Sequence, residues 1–266
     1  PDIICNREIK FRAFLDHATT LGAEYIATGH YARIERHPEV RLLCGLDRDK
    51  DQTYFLHTLD RIQLARSLFP LGELHKRDVR DMAKAAGFRV HNKKDSTGIC
   101  FIGERRFSTF LAEYIKKNPG EIRNHGDEVI GQHDGLMFYT IGQRQGLGIG
   151  GRRNASGEPW YVTGKELDRN ILRVAQGVNH PALFSSGLQA GSLHWISGDS
   201  PADEFSCSAR IRHQQPLQEC SVTVTGQQNC RVVFREPQRA VTPGQSVVFY
   251  NGDECLGGAV IDHPVT

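Results

Sequence analysis

Apolar positions along the first third of the chain recur at helical spacing. Phe11, Phe14, Leu15, Ala18 and Leu21 fall at i, i+3, i+4, i+7 and i+10, which predicts one helix face. Asn6 stands where a cap is wanted and Gly22 where a helix stops. Tyr25-Ile26-Ala27-Thr28 then reads as a short buried strand ending in Gly29-His30. A helix followed by such a strand implies a parallel α/β sheet, in which ligands sit beyond the carboxyl ends of the strands. The stretch that follows reads as mainly helical. Val79, Met82, Ala83 and Ala86 form another face closed by Gly87. A polar segment, residues 91–98, leads to Ile99-Cys100-Phe101-Ile102. Phe107, Phe110, Leu111, Tyr114 and Ile115 make one more helix, broken at Asn118-Pro119-Gly120.

Beyond residue 120 helical periodicity disappears and turn residues recur at short intervals. Candidate strands are 135–141, 160–163, 171–175, 193–196, 207–212, 221–225, 231–234, 246–250 and 256–261. The last six, separated by Gly, Pro and Asp clusters, predict a small β-barrel. The expected division is 1–103 as an α/β unit, 104–177 as a small, mostly β unit and 178–266 as the barrel.

The 266 residues include 39% hydrophobic and 24% charged residues, the profile of a water-soluble globular chain. No apolar run approaches the roughly 20 residues of a membrane helix, so no membrane partner is expected. The net charge of +2 does not mark a strongly basic nucleic-acid binder. Residues 93–153 nevertheless carry ten Lys/Arg against seven Asp/Glu, several of the basic ones in pairs. The seven cysteines are irregularly spaced and form no C-x-x-C pair, which excludes a zinc ribbon or thioredoxin-type motif. This usage points to a reducing, cytoplasmic setting.

Gly146-Leu147-Gly148-Ile149-Gly150-Gly151 is not a dinucleotide fingerprint, because Arg152-Arg153-Asn154-Ala155 is a poor helix start. It reads as a loop that lets backbone approach a neighbour. The twelve histidines form no H-E-x-x-H, which argues against a zinc hydrolase. His30, at a strand end, is equally a ligand contact or a structural histidine. Cys5 stands just before the first helix, where the macrodipole favours a thiolate. Asp2, three residues earlier, is placed to orient a substrate or move a proton. Cys100 lies between a polar loop and an apolar segment.

Six segments, in order along the chain, carry a resemblance. They are Pro1-Asp2-Ile3-Ile4-Cys5-Asn6, Ala27-Thr28-Gly29-His30-Tyr31-Ala32-Arg33, Lys50-Asp51-Gln52-Thr53-Tyr54-Phe55-Leu56, Asp95-Ser96-Thr97-Gly98-Ile99-Cys100-Phe101-Ile102-Gly103, Gly142-Gln143-Arg144 with the glycines after it, and Thr242-Pro243-Gly244-Gln245-Ser246. Together they resemble the tRNA-specific 2-thiouridylases, enzymes that replace the 2-oxygen of a wobble uridine with sulfur. The resemblance implies a partial nucleotide α-hydrolase-like (pyrophosphate-loop, Rossmann-like) catalytic unit, a small central mostly β unit and a C-terminal barrel. It implies Cys5, Cys100 and Asp2 as catalytic residues and Gly29 as a nucleotide contact. Pro1, Asp2, His30, Lys50, Asp51, Gln52, Arg210, Ile211 and Gln245 are implied tRNA contacts. Arg210 and Arg212 would share one face of a strand with Ile211 on the other; were that face the wet one, the arginines would be available for phosphates and Ile211 could meet tRNA only through its backbone.

In the implied chemistry ATP, with Mg2+, activates the uridine oxygen as a leaving group. Cys100 carries a persulfide from a sulfur-relay protein or cysteine desulfurase, and Cys5 forms a transient disulfide with it. The tRNA is engaged at its anticodon stem-loop, and the enzyme is expected to act as a monomer in the cytoplasm. The family's Ser-Gly-Gly-x-Asp-Ser loop does not occur in these residues, and position 1 is Pro rather than Met. The expectation is therefore a chain that begins inside a longer protein. Two alternatives stay open: a non-catalytic tRNA-binding protein of the same fold, and an iron–sulfur protein using Cys5, Cys100 and Asp2.

Overall fold

The structure is a computed structural model that describes residues 2–93, 110, 113–149 and 157–265. Pro1 and Cys100, with most of the predicted helix around Phe107–Ile115, lie outside the described residues.

The chain opens in a helix wound in three parts: α1 (Asp2–Ile4), a π-helical stretch (Cys5–Ala13) and α2 (Phe14–Thr20). In the π stretch bonds run between residues five apart, as from the Phe14 N–H to the Ile9 carbonyl. That winding brings Asn6 and Phe11 onto one face, and both are buried. The predicted face holds at Phe11 and Leu15 but not at Phe14 or Leu21, which are exposed. Asn6 is not a cap. It sits inside the helix because the helix begins earlier, at Asp2. Gly22, at φ +88°, ends the helix as expected.

Strand β1 (Ile26–Ala27) then runs parallel to β4 (Ser67–Leu68). Between them the chain forms an antiparallel hairpin, β2 (Ala32–Glu35) and β3 (Arg41–Cys44), where helix was expected. A single 3-10 turn at Thr53–Phe55 and the short helix α3 (Arg61–Ala65) follow. The start of α3 is fixed by a capping box in which Asp60 and Gln63 each bond the other's backbone N–H. Helix α4 (Lys76–Ala85) covers the predicted Val79–Ala86 face, although Met82 on it is exposed.

The middle of the chain builds a four-stranded sheet in the order β6-β5-β8-β7: β5 (Gly120–Arg123), β6 (Val129–His133), β7 (Trp160–Glu166) and β8 (Ile171–Gln176). Its core holds Ile122, Val162, Leu172 and Val174. The strand predicted at 135–141 is instead a 3-10 turn, Leu136–Phe138, entered through Gly135 at φ +147°. The glycine-rich loop plugs this core: Leu147 and Ile149 are buried, while Gly146 and Gly148 between and beside them adopt positive φ. A Cβ on Gly131 would stand 2.5 Å from the Ile149 side chain, so the close approach requires glycine there.

Six strands close the barrel: β9 (Phe184–Trp195), β10 (Glu204–Arg210), β11 (Gln218–Gly226), β12 (Asn229–Arg239), β13 (Ser246–Asn251) and β14 (Glu254–Val265). The order β13-β10-β11-β12-β9-β14 returns on itself because β13 also pairs with β14. Inward residues alternate along each strand, as in Val222 on β11 and Val232 on β12. The β2–β3 hairpin extends this sheet through β3, with Leu42 opposite Cys255 and Leu43 opposite Glu254. A second apolar cluster straddles the join. Phe11, Leu15, Leu42, Tyr54 and Leu64 pack with Val248, Tyr250 and Cys255 of the barrel.

Candidate functional site

Gly29 and His30 follow β1 at its carboxyl end, where the Thr28 N–H still bonds the Leu68 carbonyl at 3.0 Å. Gly29 is exposed and His30 is buried. The His30 ring rests 5.6 Å from Phe11 and 5.8 Å from Phe69, and its Nδ1 lies 2.7 Å from the Thr28 hydroxyl. Burial, reinforced by the nearby Lys10 charge, pushes its pKa down to about 4. The imidazole is therefore neutral at physiological pH. Through Phe11, this strand end is packed against the helix that carries Asp2 and Cys5, both half-buried.

The segment 50–57 forms the next wall. Gln52 holds Tyr31, the residue after His30, at two points: the Tyr31 N–H donates to Gln52 Oε1 at 3.0 Å, and the Gln52 N–H donates to the Tyr31 carbonyl at 2.9 Å. Asn6, adjacent to Cys5, donates its amide to the Phe55 carbonyl at 3.1 Å. Gly45 lets β3 approach this point, since a Cβ there would meet the Tyr31 carbonyl oxygen at 2.9 Å.

Asp51 is fully buried at its side chain. It accepts from the Gly45 N–H at 3.0 Å, from the Thr53 hydroxyl at 2.8 Å and from Arg210 Nη1 at 3.1 Å. The Arg210 guanidinium lies over the Tyr250 ring, 5.2 Å from its centroid, and the Tyr250 hydroxyl is 3.2 Å from that of Thr53. Burial raises the Tyr250 pKa well above the ordinary phenol value, so the hydroxyl stays protonated. His213 Nε2 is 2.7 Å from the Asp51 carbonyl and its ring packs 4.3 Å from Phe55. The Tyr54 hydroxyl, its pKa pushed up to about 12 by burial, donates to the Ser246 carbonyl at 2.9 Å and lies 3.4 Å from that of Ile211.

These contacts bring together most of the described residues that the resemblance implied. Cys5, Gly29, His30, Lys50, Asp51, Gln52, Arg210, Ile211 and Gln245 lie on, or next in sequence to, one network that runs from the first helix to the barrel, and Asp2 stands about one turn before Asn6 on that helix. One geometric expectation fails. Arg210 and Arg212 do not share a wet face. Strand β10 ends at Arg210, whose side chain is buried against Asp51, while Arg212 turns back to the carbonyls of Ile141 and Ala240. Ile211 faces the barrel core at 2% exposure, and the Asp51 carboxylate is shut away from solvent. Lys50 is half-buried, and Gln245 is exposed with its N–H bonded to the Thr242 carbonyl. Asn6, Thr53, Tyr54, His213 and Tyr250 join the network without having been singled out for it. The pairing of Cys5 with Cys100 falls outside the described residues.

Among the described residues no group of three His, Cys, Asp or Glu is placed to hold a metal ion, and no helix is long and apolar enough to cross a membrane.

Comparison with known families accounts for the three-part build. Residues 1–104 match the tRNA methyl transferase HUP domain, 108–176 the tRNA methyl transferase PRC-barrel domain and 185–261 the aminomethyltransferase beta-barrel domain. Among curated proteins, the tRNA-specific 2-thiouridylase MnmA of Alcanivorax borkumensis is 56% identical over 98% of this chain and 72% of its own length. Those of Marinobacter nauticus and Methylococcus capsulatus are 56% and 57% identical, each over 98% of this chain, and the matches cover 68% and 71% of their lengths. At that identity and coverage, with all three family domains matched in order, the chain belongs to the MnmA family of tRNA-specific 2-thiouridylases.

Proposed function

We propose that this protein is a tRNA-uridine 2-sulfurtransferase, acting in the cytoplasm on the wobble uridine of tRNA. One observation carries the reading. The helix bearing Asp2 and Cys5, the Gly29-His30 strand end and the 50–57 segment are tied into one wall, with the barrel behind it. Such a wall suits a base taken out of its stack and held beside a thiol.

Gly29, exposed beyond a strand end and lacking a Cβ, fits close approach of a nucleotide, and the neutral His30 beneath it adds no charge. ATP bound there would supply the means to turn the uridine 2-oxygen into a leaving group; Mg2+ would accompany it. Asp2 and Cys5, three residues apart on a helix, address the same substrate. In this reading Asp2 contacts the target base, Cys100 brings the sulfur as a persulfide from a relay protein or desulfurase, and Cys5 closes the cycle through a disulfide. Pro1, His30, Lys50, Gln52 and Gln245 meet the tRNA directly. Asp51, Arg210 and Ile211, whose side chains are already engaged, meet it through backbone or through the shape they impose on their neighbours.

The test is made in the encoding gene, in cells that have no other source of tRNA 2-thiouridine. Cys5→Ser and Cys100→Ser should each remove 2-thiouridine from digested tRNA, measured by liquid chromatography and mass spectrometry. Cys44→Ala and Cys255→Ala should leave it present. Wild-type levels in the Cys100→Ser strain would overturn the persulfide reading, and 2-thiouridine unchanged on deletion of the gene would overturn the activity itself.

A further inference from the structure

Two cysteines outside the site described above face each other in the barrel wall. Cys207 on β10 and Cys220 on β11 are direct partners in the antiparallel register, and their sulfurs are 3.7 Å apart. Directly opposed residues in such a pair have Cα atoms about 4.5–5.5 Å apart, inside the range a disulfide spans. To bond, the sulfurs would close from 3.7 Å to about 2.05 Å. Cys230 is not a competitor. It stands opposite Val224 on β11, four residues from Cys220, or roughly 13 Å along the strand.

The two thiols are not equivalent. Cys220 is buried, whereas Cys207 is half-buried. Both contribute to the wall of a surface groove of about 540 Å³ whose outward residues are Ser206, Ser208, Ser221 and Arg235, while the two cysteines alternate with these and pack against the barrel core. The hydrogen bond from the Cys220 thiol lowers the Cys207 pKa, and the Tyr250 N–H adds to it against the opposing effect of burial. Cys220 shifts upward for the converse reasons: it holds the shared proton and it is buried. A half-buried thiol beside a fully buried one is the arrangement of an attacking and a resolving cysteine.

We propose that Cys207 and Cys220 form a reversible dithiol–disulfide site in the barrel wall, entered from the groove by a small-molecule disulfide. The Cys207 thiolate attacks one sulfur of the incoming disulfide. A mixed disulfide forms and one small thiolate leaves. Cys220 then attacks the Cys207 sulfur, the second small thiol departs, and the proton of Cys220 goes with the released thiols. In sum the protein dithiol is oxidised by two electrons, and one small disulfide is reduced to two thiols.

The experiment uses the purified protein carrying Cys5→Ala and Cys100→Ala, so that the proposed catalytic thiols stay silent. The reduced, desalted protein is titrated with oxidised glutathione, quenched with N-ethylmaleimide and mapped by peptide mass spectrometry. The expected product is one cross-link between the Cys207 and Cys220 peptides, reversed by dithiothreitol, with Cys44, Cys230 and Cys255 recovered as maleimide adducts after denaturation. Adding Cys220→Ser should trap glutathione on Cys207. Adding Cys207→Ser should abolish uptake at Cys220. Recovery of both cysteines as maleimide adducts at saturating oxidised glutathione would overturn the proposal, as would a cross-link to Cys230 or undiminished glutathione uptake by Cys220 in the Cys207→Ser protein. If a serine variant fails to fold, the cross-link map of the parent decides the matter alone.

Discussion

Two of the molecule's groupings of arginine and carboxylate are built to opposite rules. In the middle sheet, Arg123 pairs with Glu121 and Asp127, and Arg173 with Asp127 and Glu166, all on a solvated face where the carboxylates keep a third to a half of their surface. At the join with the barrel, a single Arg210 meets a single Asp51, with 10% and 0% of their side-chain surface exposed. The wet cluster is redundant, since every charge but Glu121 has more than one partner and all have water as a further one. The buried pair has no such reserve. Its desolvation is offset in part because Gly45 and Thr53 donate to Asp51 and the Tyr250 ring faces Arg210, while the Arg210 Nε is buried without a hydrogen-bond partner. Partner number and exposure, not the count of ion pairs, decide what each cluster is worth.

The sharpest way to break this contrast is Asp51→Ala. It leaves the Arg210 charge buried and unpaired, and unfolding in urea should show a loss of about 3–5 kcal/mol. A loss under about 1 kcal/mol would mean that Arg210 reaches water when released. The same background sharpens the tRNA reading. Because Arg210 is engaged internally, Arg210→Ala should weaken the fold while leaving the salt slope of tRNA binding unchanged. A slope lower by about one unit would make it a phosphate contact instead.

Acid comes next in size. His30 and His57 are buried and both have pKa values lowered to about 4, chiefly by burial. In the unfolded chain they titrate near 6.5. Between these values the unfolded state binds protons that the folded state refuses, so stability is complete above pH 6.5 and falls as pH drops towards 4. The slope should reach about 1 kcal/mol per pH unit for each histidine. Replacing His57 with Asn should remove one such share, read from urea midpoints at pH 7 and pH 5. An unchanged slope would place the acid sensitivity elsewhere. The smallest effect belongs to the wet cluster. Glu166→Gln leaves Arg173 with Asp127, and its cost should stay below about 1 kcal/mol and shrink in salt.

How much of this was legible beforehand depended on how local the cause was. The barrel strands could be read because alternation and turn residues lie within each strand, although every strand runs longer than its apolar run. Segment wording placed Asp2, Cys5, Gly29, His30 and residues 50–52 in one site before any geometry was known. The β2–β3 hairpin was missed because its strands are four residues each and gain their hydrogen-bonded neighbour from β14, some two hundred residues away. Asn6 was misread because a π winding, which apolar spacing at α pitch does not register, carries it onto the buried face. The buried Arg210 was out of reach for a similar reason. Alternation on a strand distinguishes two faces, but only Asp51, 159 residues earlier, makes its face the inner one.

The seam between β3 and β14 also sets a timetable. Leu43 leaves the ribosome roughly 210 residues before its partner Glu254. At about 5–20 residues per second that is an interval of roughly 10–40 s. Throughout it, the β3 side of the hairpin offers a row of unmatched N–H and carbonyl groups. A nascent chain in that state is open to strand exchange with its neighbours on a polysome. Synthesis of this protein thus includes a vulnerable interval that closes only as β14 emerges.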